Sequence, residues 1–518
     1  MKKNQIISLI KKPISIILIV YSLYALLYIW RTSFIINGMR FFSLCDDAMI
    51  SLQYAKNLAH GDGFKWFAGG SAVEGITNPG WALVLTIPFF LGTPLHIAPL
   101  VVQIISLTCN LLTLTFLYKY INERFQTKAG LLATLLTAFY LPFSQWSLQG
   151  LEIGIIQAIT LIYLYASTRY KFCTIFLGTL IFFRMDTILL AFFLLLISFN
   201  PKELKPFIYG TISILSSVTL LTIFRLSYYG DIFPNTYYLK TTGFPLTSRI
   251  FRGMKVFLSW LHSLGFVLIL PLAYINQAKK DKHLVIIALI VITQCAYSIF
   301  VGGDAWEWDL QCNRYISTIW PLFSIFIALG FVTAFNRLSR HTATSMILLI
   351  IITINSPYNY RQDLSKLLLI SQTSHWNFNK IVTEESLIMS KIINKNTSIA
   401  TVWAGIPSYY NNCILIDSLG KNDLHIARIL SRKEMGEFYP GHMKFDWDYI
   451  FNKNPDIIFQ DWHMSDSERS KRKKFYYNII HNGIPSSIWI NKNNNNINTD
   501  YLNKKNNLEI SFQNESHE

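Results

Sequence analysis

Charged residues are scarce in this chain. Asp, Glu, Lys and Arg together make up 15% of its 518 residues, whereas a soluble chain of this length normally carries about 25%. Hydrophobic residues make up 52% and gather in blocks of about 15 to 25 residues, long enough to cross a hydrocarbon core about 30 Å thick. Because no water satisfies backbone groups inside that core, each block should be a helix. The composition therefore predicts an integral membrane protein with many spans.

The marks of several other classes are also missing. The six cysteines show no zinc-type spacing, and the sequence contains no internal repeat and no coiled-coil heptads. The first hydrophobic block, near residues 13–30, has no small-residue cleavage site and is typical of a retained first span. The formal net charge of +16 comes largely from Lys and Arg in short loops, as in cytoplasmic loops. We therefore favour a topological meaning of this charge over nucleic-acid binding.

Hydropathy predicts about eleven membrane spans. The apolar block at 81–91 is ambiguous, and we interpret it as a helix at the outer interface or a re-entrant helix, because a further span would invert every later loop. The predicted spans are 14–36, 96–120, 129–143, 150–168, 172–184, 186–200, 206–228, 255–275, 283–301, 314–335 and 341–356.

The basic loops set the predicted sidedness and domains. With a cytoplasmic N-terminus, the loops rich in Lys and Arg stay inside and the acidic, motif-like loops lie on the opposite, outer side of the membrane, which is the periplasm if the chain is bacterial. Residues 1–356 then form the membrane domain, with a first outer loop at 37–95. Residues 357–490 contain the short apolar runs 398–405, 413–420 and 455–462, which predict strands of a small α/β domain on the same outer side. The Asn-rich stretch 491–518 is predicted to be a flexible tail.

Two adjacent carboxylates, Asp46 and Asp47, follow the first span. An ionisable pair beside hydrocarbon costs free energy, so we favour a functional role for this pair over the alternative of an interface anchor. Adjacent side chains on a helix point about 100° apart, so one can act as a base while the other orients it, binds sugar hydroxyls or helps to hold a cation. A partly desolvated aspartate has a raised pKa and is a better base.

An ordered series of motifs follows this pair, and it resembles a family of bacterial membrane glycosyltransferases of the GT-C fold class. That family includes the mycobacterial terminal β-(1→2) arabinofuranosyltransferase. The sequence departs from the family pattern at Gln53, where the family usually has Arg, and at Phe67, where it usually has Asn. The matching motifs are Asp46–Ala48, Tyr54–Leu58, Gly61–Gly63, Val73–Asn78, Gly150–Glu152, Arg184–Asp186, Tyr228–Asp231, Pro234–Tyr238, Val301–Asp304, Ile416–Gly420, His425–Arg428 and Pro440–His442.

The resemblance implies an inverting transferase in the bacterial inner membrane. Its donor would be a sugar, arabinofuranose in the named relative, on a polyprenyl monophosphate, and its acceptor a periplasmic envelope glycan or glycolipid. Asp46 would take the acceptor proton, and Asp47 would stabilise the oxocarbenium-like transition state. The donor phosphate would bind Arg314, Lys240 and Arg184, for each of which an interaction with lipid headgroups is the alternative. The predicted substrate-binding residues are Glu74, Asn78, Glu152, Asp186, Asn235, Tyr238, Asp304, Trp306 and His442.

The need for a metal and two rival functions stay open at this stage. No cofactor is indicated, but the resemblance leaves a divalent cation such as Mg²⁺ or Mn²⁺ open, and the acidic residues show no decisive spacing. Membrane lipids are expected partners and nucleic acids are not. A flippase of lipid-linked sugars would show charges in mid-span and paired halves, and a glycan ligase would have one large outer loop. The charges lie at one rim and no repeat is present, which favours the transferase.

Overall fold

A computed structural model describes residues 13–307, 312–356, 364–431, 437–481, 484–493, 496–498, 501 and 508–511. The first part is a bundle of apolar helices, and the second is a small domain built on one sheet. The predicted fold class, a polytopic helical membrane protein with a C-terminal α/β domain, is confirmed. Parts of the segments predicted as the start of the first domain and as the flexible tail lie outside the described residues.

The helical part contains one short hairpin, formed by strands β1 (Phe34–Ile36) and β2 (Met39–Phe41), and 3-10 turns at Lys171–Gly178, Met185–Thr187 and Gly265–Tyr274. Its helices are α1 (Pro13–Thr32), α2 (Asp46–Ala59), α3 (Pro79–Val84), α4 (Ile87–Phe90), α5 (Ala98–Arg124), α6 (Thr127–Ala138), α7 (Leu141–Leu148), α8 (Ile153–Ala166), α9 (Thr179–Phe183), α10 (Ile188–Ile197), α11 (Lys205–Tyr229), α12 (Asn235–Thr241), α13 (Leu246–Leu264), α14 (Ile275–Ala278), α15 (Lys282–Phe300), α16 (Arg314–Ala334) and α17 (Arg340–Ile354).

Within the described ranges, six helical stretches are long and apolar enough to cross a membrane, and a seventh is formed if the pair α6 and α7, bent by 56°, counts as one span. Every block that the sequence predicted as a span overlaps a helix, but several of these helices are short, so the number of crossings stays a prediction. The ambiguous block at 81–91 falls on α3 and α4, whose combined apolar stretch Pro79–Phe90 is too short to span. The six stretches are Pro13–Thr32, Ala98–Arg124, Lys205–Tyr229, Leu246–Ala278, Lys282–Phe300 and Arg314–Ala334.

The second part has a mixed sheet with strand order β4-β3-β5-β7-β6-β8. Strands β3, β4 and β5 run parallel, and the other pairs are antiparallel. The three apolar runs of the sequence form the parallel strands, and β8 falls in the stretch predicted as a tail. The strands are β3 (Ser398–Thr401), β4 (Ile414–Asp417), β5 (Ile457–Phe459), β6 (Tyr476–His481), β7 (Ile484–Asn491) and β8 (Leu508–Ser511); the helices are α18 (Leu364–Leu367), α19 (Trp376–Ile392), α20 (Ile406–Tyr410), α21 (Leu424–Arg428), α22 (Trp447–Asn452) and α23 (Asp466–Phe475).

The two parts share a hydrophobic core around α2. Met49, Leu52 and Tyr54 of this helix are fully buried together with Ile399 and Ile406 of the sheet domain. The carboxyl ends of parallel strands meet at one edge of a sheet, where loops form crevices. Here the loops that follow β3 and β4 both lie against the first turn of α2. The paired aspartates therefore lie where the sheet domain meets the helical bundle.

Candidate active site

The first turn of α2 carries both aspartates at a helix N-terminus, where the helix dipole favours negative charge. Their side chains leave the helix about 100° apart, so they face different neighbours. Asp46 faces the sheet domain, where its Oδ1 accepts hydrogen bonds from the main-chain N–H groups of Gly405 (3.0 Å) and Ile406 (3.1 Å). Its carboxylate is thus held by the loop that follows β3.

Asp47 lies between the helical bundle and the sheet domain and is bound by one cation from each. Its Oδ2 accepts a hydrogen bond from Arg314 Nη2 at 2.8 Å, and its Oδ1 accepts one from the Lys421 ammonium. Burial acts to raise the pKa of Asp47, but the charges of Lys421, Arg314 and Lys240 outweigh burial and hold the pKa well below its usual value. Asp47 is therefore an anion at any pH near neutrality.

Asp46 titrates differently from its neighbour. Burial raises the pKa of Asp46 to about 7, and the negative charge of Asp47 adds to this rise while the charge of Lys421 opposes it. The residue is buried, with 6% of its surface exposed. One carboxylate of the pair is thus a permanent charge, and the other gains or loses its proton near pH 7.

Arg314 also forms a two-pronged ion pair with Asp304, with Nε–Oδ2 2.5 Å and Nη2–Oδ1 2.9 Å. This charge holds the pKa of Asp304 below its usual value although burial acts to raise it. Arg252 stabilises the loop that carries Asp304, because it pairs with Glu307 of that loop at 2.9 Å. Gly303 has φ 77°, and an added Cβ would lie 2.5 Å from Glu307 Oε1 and 2.7 Å from Arg252 Nη1, so the loop requires glycine here.

Lys240 on α12 differs from the other cations of the site. Among the described residues it has no hydrogen-bond or ion-pair partner, although it lies close enough to Asp304 and Asp47 to feel their charges. Burial, followed by the charge of Arg314, lowers the pKa of Lys240 to about 8. Its ammonium is therefore the group of this cluster that is available to an added anion.

Two cavities meet at Lys240 and Arg314. The larger has a volume of about 440 Å³ and combines charged side chains with apolar ones such as Ile188, Leu189 and Val301. The smaller, of about 40 Å³, is mostly polar and lies beside Asp47. A ligand with an anionic head and an apolar tail matches this combination of surfaces.

A second polar chain borders the larger cavity. Arg184 pairs with Asp186 through two hydrogen bonds of 2.9 and 2.6 Å, and its Nη1 lies 3.3 Å from Glu152 Oε1. Asn78 Nδ2 donates to the other Glu152 oxygen at 2.7 Å, and the Asn78 oxygen accepts from Ser51 Oγ at 3.0 Å. Four of these residues line one of the two cavities, and Glu152 lies behind them. Arg184 and Asp186 line the larger cavity, and Ser51 and Asn78 line the smaller one.

Glu74 pairs with Arg225, a residue that the sequence analysis did not select. Arg225 Nε and Nη2 donate to the two carboxylate oxygens of Glu74 at 2.7 and 3.0 Å, and both side chains are at most 2% exposed. The pair fixes the loop that carries Glu74 to the last turns of α11. The signal in the sequence was an arginine within an apolar span, which requires a buried partner.

Asn235 and Tyr238 join α12 to the sheet domain. Asn235 Nδ2 donates to the carbonyl oxygens of Gly420 (2.9 Å) and Asp423 (3.1 Å). The Tyr238 hydroxyl donates to Asp231 at 2.6 Å, and the guanidinium of Arg428 in the sheet domain lies 4.2 Å from the centre of the Tyr238 ring. Neither side chain lines one of the two cavities, so the structure places them at the interface between the domains.

Trp306 and His442 lie in an aromatic group on the sheet-domain side. The Trp306 ring stacks on Trp403 with centroids 5.6 Å apart, and the His375 and His442 rings meet it edge-on at 4.8 and 6.1 Å. Burial lowers the pKa of His442 to about 4, so its imidazole is neutral at pH 7. Its Nδ1 lies 2.9 Å from the carbonyl oxygen of Pro440, which makes Nδ1 the donor.

The structure thus brings part of the predicted set together at the cavities and places the rest around them. The predicted residues that line neither cavity support the site from behind or lie at the domain interface; they are Asp46, Glu74, Glu152, Asn235, Tyr238, Asp304, Trp306 and His442. The roles of all these residues stay predictions. Sequence reasoning missed Lys421, Arg225, Arg252 and Glu307, each of which pairs with a charge far away in the chain. The predicted residues that line a cavity are Asp47, Asn78, Arg184, Asp186, Lys240 and Arg314.

The described residues do not provide an evident set of metal ligands. Among them, no three His, Cys, Asp or Glu side chains converge in a way that could hold an ion. Asp47 is already paired with Arg314 and Lys421, and Asp304 is paired with Arg314. The divalent cation that the resemblance leaves open stays untested.

Comparison with known proteins identifies a fold and one family of unknown function. Residues 375–499 match the family described as Domain of unknown function (DUF8728). Comparison with curated protein sequences gives no match. Among solved structures, ArnT from Cupriavidus metallidurans in the apo state is similar, with 11% identity and a TM-score of 0.56, over 91% of this chain and 97% of that one.

Two further solved structures are similar over most of this chain. ArnT from Cupriavidus metallidurans bound to undecaprenyl phosphate shares 10% identity, with a TM-score of 0.50, over 80% of this chain and 88% of that one. An oligosaccharyltransferase from Archaeoglobus fulgidus shares 11% identity, with a TM-score of 0.49, over 93% of this chain and 75% of that one. The ArnT likenesses show that the chain has the GT-C fold, and at these identities they show the fold alone.

Proposed function

We propose that this protein is an inverting membrane glycosyltransferase that uses a sugar linked to a polyprenyl phosphate. One observation carries the proposal: Lys240, without an ion-pair partner among the described residues, and Arg314 lie where a largely apolar cavity meets a polar one beside a pair of aspartates. A lipid-linked sugar has the matching order of groups, with its prenyl chain, phosphate and sugar in sequence. The GT-C fold and the motif series support the same reading.

The donor would enter the larger cavity. Its phosphate would bind Lys240 as a point charge and Arg314 through the planar guanidinium fork. Arg184, like Arg314, is paired with two carboxylates. It lines the larger cavity but not the smaller one, so we assign it a weaker part in phosphate binding. The prenyl chain would lie along Ile188 and Leu189, which places the sugar towards Asp47. The smaller cavity there, of about 40 Å³, would have to widen to admit the sugar.

Asp46 would act as the general base. Its pKa of about 7 suits a group that must take a proton at neutral pH. Asp47, held as an anion by its two cations, would instead stabilise positive charge developing on the sugar ring. Because Asp46 is 6% exposed, an acceptor hydroxyl reaches it only when the turn at Gly405 and Ile406 moves aside.

The reaction balances as a single displacement. The acceptor hydroxyl gives its proton to Asp46, and its oxygen bonds to the anomeric carbon. The bond from that carbon to the phosphate oxygen breaks on the opposite face, so the configuration inverts, and polyprenyl phosphate leaves with the electron pair. We propose arabinofuranose as the sugar and a periplasmic envelope glycan or glycolipid as the acceptor, from the family resemblance, with the protein in the inner membrane.

Turnover by the purified protein tests this function. We would incubate it with a panel of polyprenyl-phosphate sugars, arabinofuranose included, and with envelope glycan acceptors, and measure the product and its anomeric configuration. Asp46→Asn should abolish transfer while binding of polyprenyl phosphate persists. Movement of the intact lipid-linked sugar across vesicles without cleavage of the glycosidic bond would support the flippase instead, and retention of configuration would contradict the single displacement.

A further inference from the structure

The loop after β4 is a tight, self-supported turn that projects a lysine. The Asp417 carboxylate accepts hydrogen bonds from the main-chain N–H groups of Leu419 (3.0 Å), Gly420 (3.0 Å) and Asn422 (2.8 Å). Three such bonds to one buried carboxylate fix the backbone on both sides of Lys421. The lysine is therefore presented from a rigid support.

The same loop is fitted against the helical bundle. The Tyr54 hydroxyl donates to Asn422 Oδ1 at 2.8 Å, and Asn235 Nδ2 donates to the Lys421 carbonyl oxygen at 3.0 Å. An added Cβ on Gly75 would lie 1.9 Å from Asn422 Oδ1 and 3.0 Å from the Lys421 carbonyl oxygen. The bundle thus contacts the loop closely on several sides and sets where the Lys421 ammonium lies.

That ammonium enters the polar side of the candidate active site. The Lys421 side chain is 13% exposed, pairs with Asp47 and lines the smaller cavity together with Lys240 and Arg314. Without Lys421, the two cations Arg314 and Lys240 balance the two carboxylates Asp47 and Asp304. Lys421 makes the sum of these charges +1 while Asp46 is protonated and 0 once Asp46 is an anion, against 0 and −1 without Lys421. In either state the loop therefore adds one positive charge to the polar side of the site.

We propose that Lys421 is a third cation for the phosphate of the lipid ligand, so that the domain at 375–499 completes the anion site. This inference rests on the proposed function. A sugar phosphodiester carries one negative charge, and the phosphate monoester that leaves gains a second. Lys421 contacts Asp47 in the structure and would share its N–H groups with a phosphate oxygen beside Lys240 and Arg314. Its charge then matters most for the product-like state.

Binding of polyprenyl phosphate, without any turnover, tests the role of Lys421. We would measure the affinity of the full chain in detergent for undecaprenyl phosphate and for undecaprenol, which lacks the phosphate. Since a hydrogen bond to a charged group contributes about 1.5–3 kcal/mol, Lys421→Met should weaken binding of the phosphate about 10- to 100-fold and leave undecaprenol binding unchanged. Lys421→Arg, which keeps the charge, should recover most of the loss.

Lys444 provides the matched control. It belongs to the same domain, is fully buried, and donates to the Tyr238 carbonyl (3.0 Å), Thr242 Oγ1 (3.1 Å) and the Ala427 carbonyl (2.8 Å). Lys444→Met should loosen the domain without a selective loss of phosphate binding. Equal losses in both variants, or unchanged affinity in Lys421→Met, would overturn the inference.

The outcomes separate this inference from the proposed function. Selective loss of phosphate binding in Lys421→Met, in a protein that transfers no sugar from any donor, would keep the phosphate site and refute the transferase. Sugar transfer with wild-type phosphate affinity and donor KM in Lys421→Met would keep the transferase and refute the role of Lys421. A rise in donor KM together with a fall in kcat, both recovered in Lys421→Arg, would support the two together.

Discussion

At the scale of single residues, two aspartates in one helical turn have opposite acid–base properties because they face different surroundings. Asp47 lies between Arg314 and Lys421, which stabilise its anion. Asp46 lies in a desolvated position and receives two main-chain N–H groups. The sequence alone predicts that the two side chains diverge, because helix geometry fixes the angle. It does not predict which one meets the cations, since those come from residues about 270 and 370 positions away.

The pH dependence of transfer follows from this difference. A base works in its deprotonated form, so kcat/KM should rise through the Asp46 pKa of about 7. It should fall again above the Lys240 pKa of about 8, because Lys240 binds the donor phosphate only as a cation. Asp47→Asn removes a negative charge that raises the Asp46 pKa, so the lower midpoint should move to lower pH while the maximum falls. Steady-state kinetics from about pH 5 to about pH 9, about two units on either side of the Asp46 pKa, would measure both changes. A lower midpoint that rises or stays fixed would contradict the assignment, and Glu437→Gln at the exposed pair with Lys255 serves as control.

The buried pair of Glu74 and Arg225 should be sensitive to single substitutions. Removal of one partner leaves a buried charge without compensation, which costs about 3–5 kcal/mol. Arg225→Met should therefore lower the thermal unfolding temperature in detergent strongly, as should Glu74→Leu. The double variant Glu74→Leu/Arg225→Met should recover most of the loss, because a buried apolar pair needs no desolvation of charge. If the losses simply add in the double variant, the pair does not brace the loop.

At the scale of elements, the sequence predicts the pieces better than their contacts. The three apolar runs that predict strands form β3, β4 and β5, and the predicted spans overlap the helices of the bundle. The contact between the β4 loop and α2 cannot be predicted from the sequence, because a lysine in a polar loop is normally expected to be exposed to solvent. Glu74 and Asn78 are predicted to bind acceptor hydroxyls or to brace their loop. Each has a protein partner in the structure, and their part in substrate binding stays a prediction.

The close fit at Gly75 tests how tightly the two domains must pack. Gly75→Ala places a methyl group against Asn422 Oδ1 and the Lys421 carbonyl, and overpacking of this kind costs about 1–3 kcal/mol. We expect faster amide hydrogen exchange in α21 and the β4 loop and a fall in transfer rate of about tenfold. Gly75→Ala/Asn422→Ala removes the closest clash and should restore part of the protection. Unchanged exchange in Gly75→Ala would show that the interface is loosely packed.

At the scale of the whole molecule, the acidic motif loops and the sheet domain lie at one end of the helical bundle. The basic turns form separate ion pairs with each other's elements: Arg124 pairs with Asp281, and Arg169 pairs with Glu123. The positive-inside rule assigns the basic end to the cytoplasm. The sheet domain would then lie in the periplasm, where donors carried by lipid rather than by nucleotide are available.

Labelling from outside the cell tests this orientation. All six cysteines are free, and only Cys173 is even partly exposed, so a Cys173→Ser background should react little. In that background, an impermeant maleimide should label Ser467→Cys on the exposed side of α23 in cells with a permeabilised outer membrane. Thr168→Cys, exposed beside the basic turn after α8, should react only after the inner membrane is broken. The reverse pattern would refute the proposed orientation.

Two neighbouring loops of one sheet bind two neighbouring residues of one helix. The β3 loop binds Asp46 and the β4 loop binds Asp47, and both loops belong to the same parallel strand pair. A tilt of the sheet that uncovers the first aspartate therefore also draws the lysine away from the second. Acceptor binding and the change of charge around the phosphate would then occur in one movement. Such coupling would limit reaction of the donor with water before the acceptor is bound.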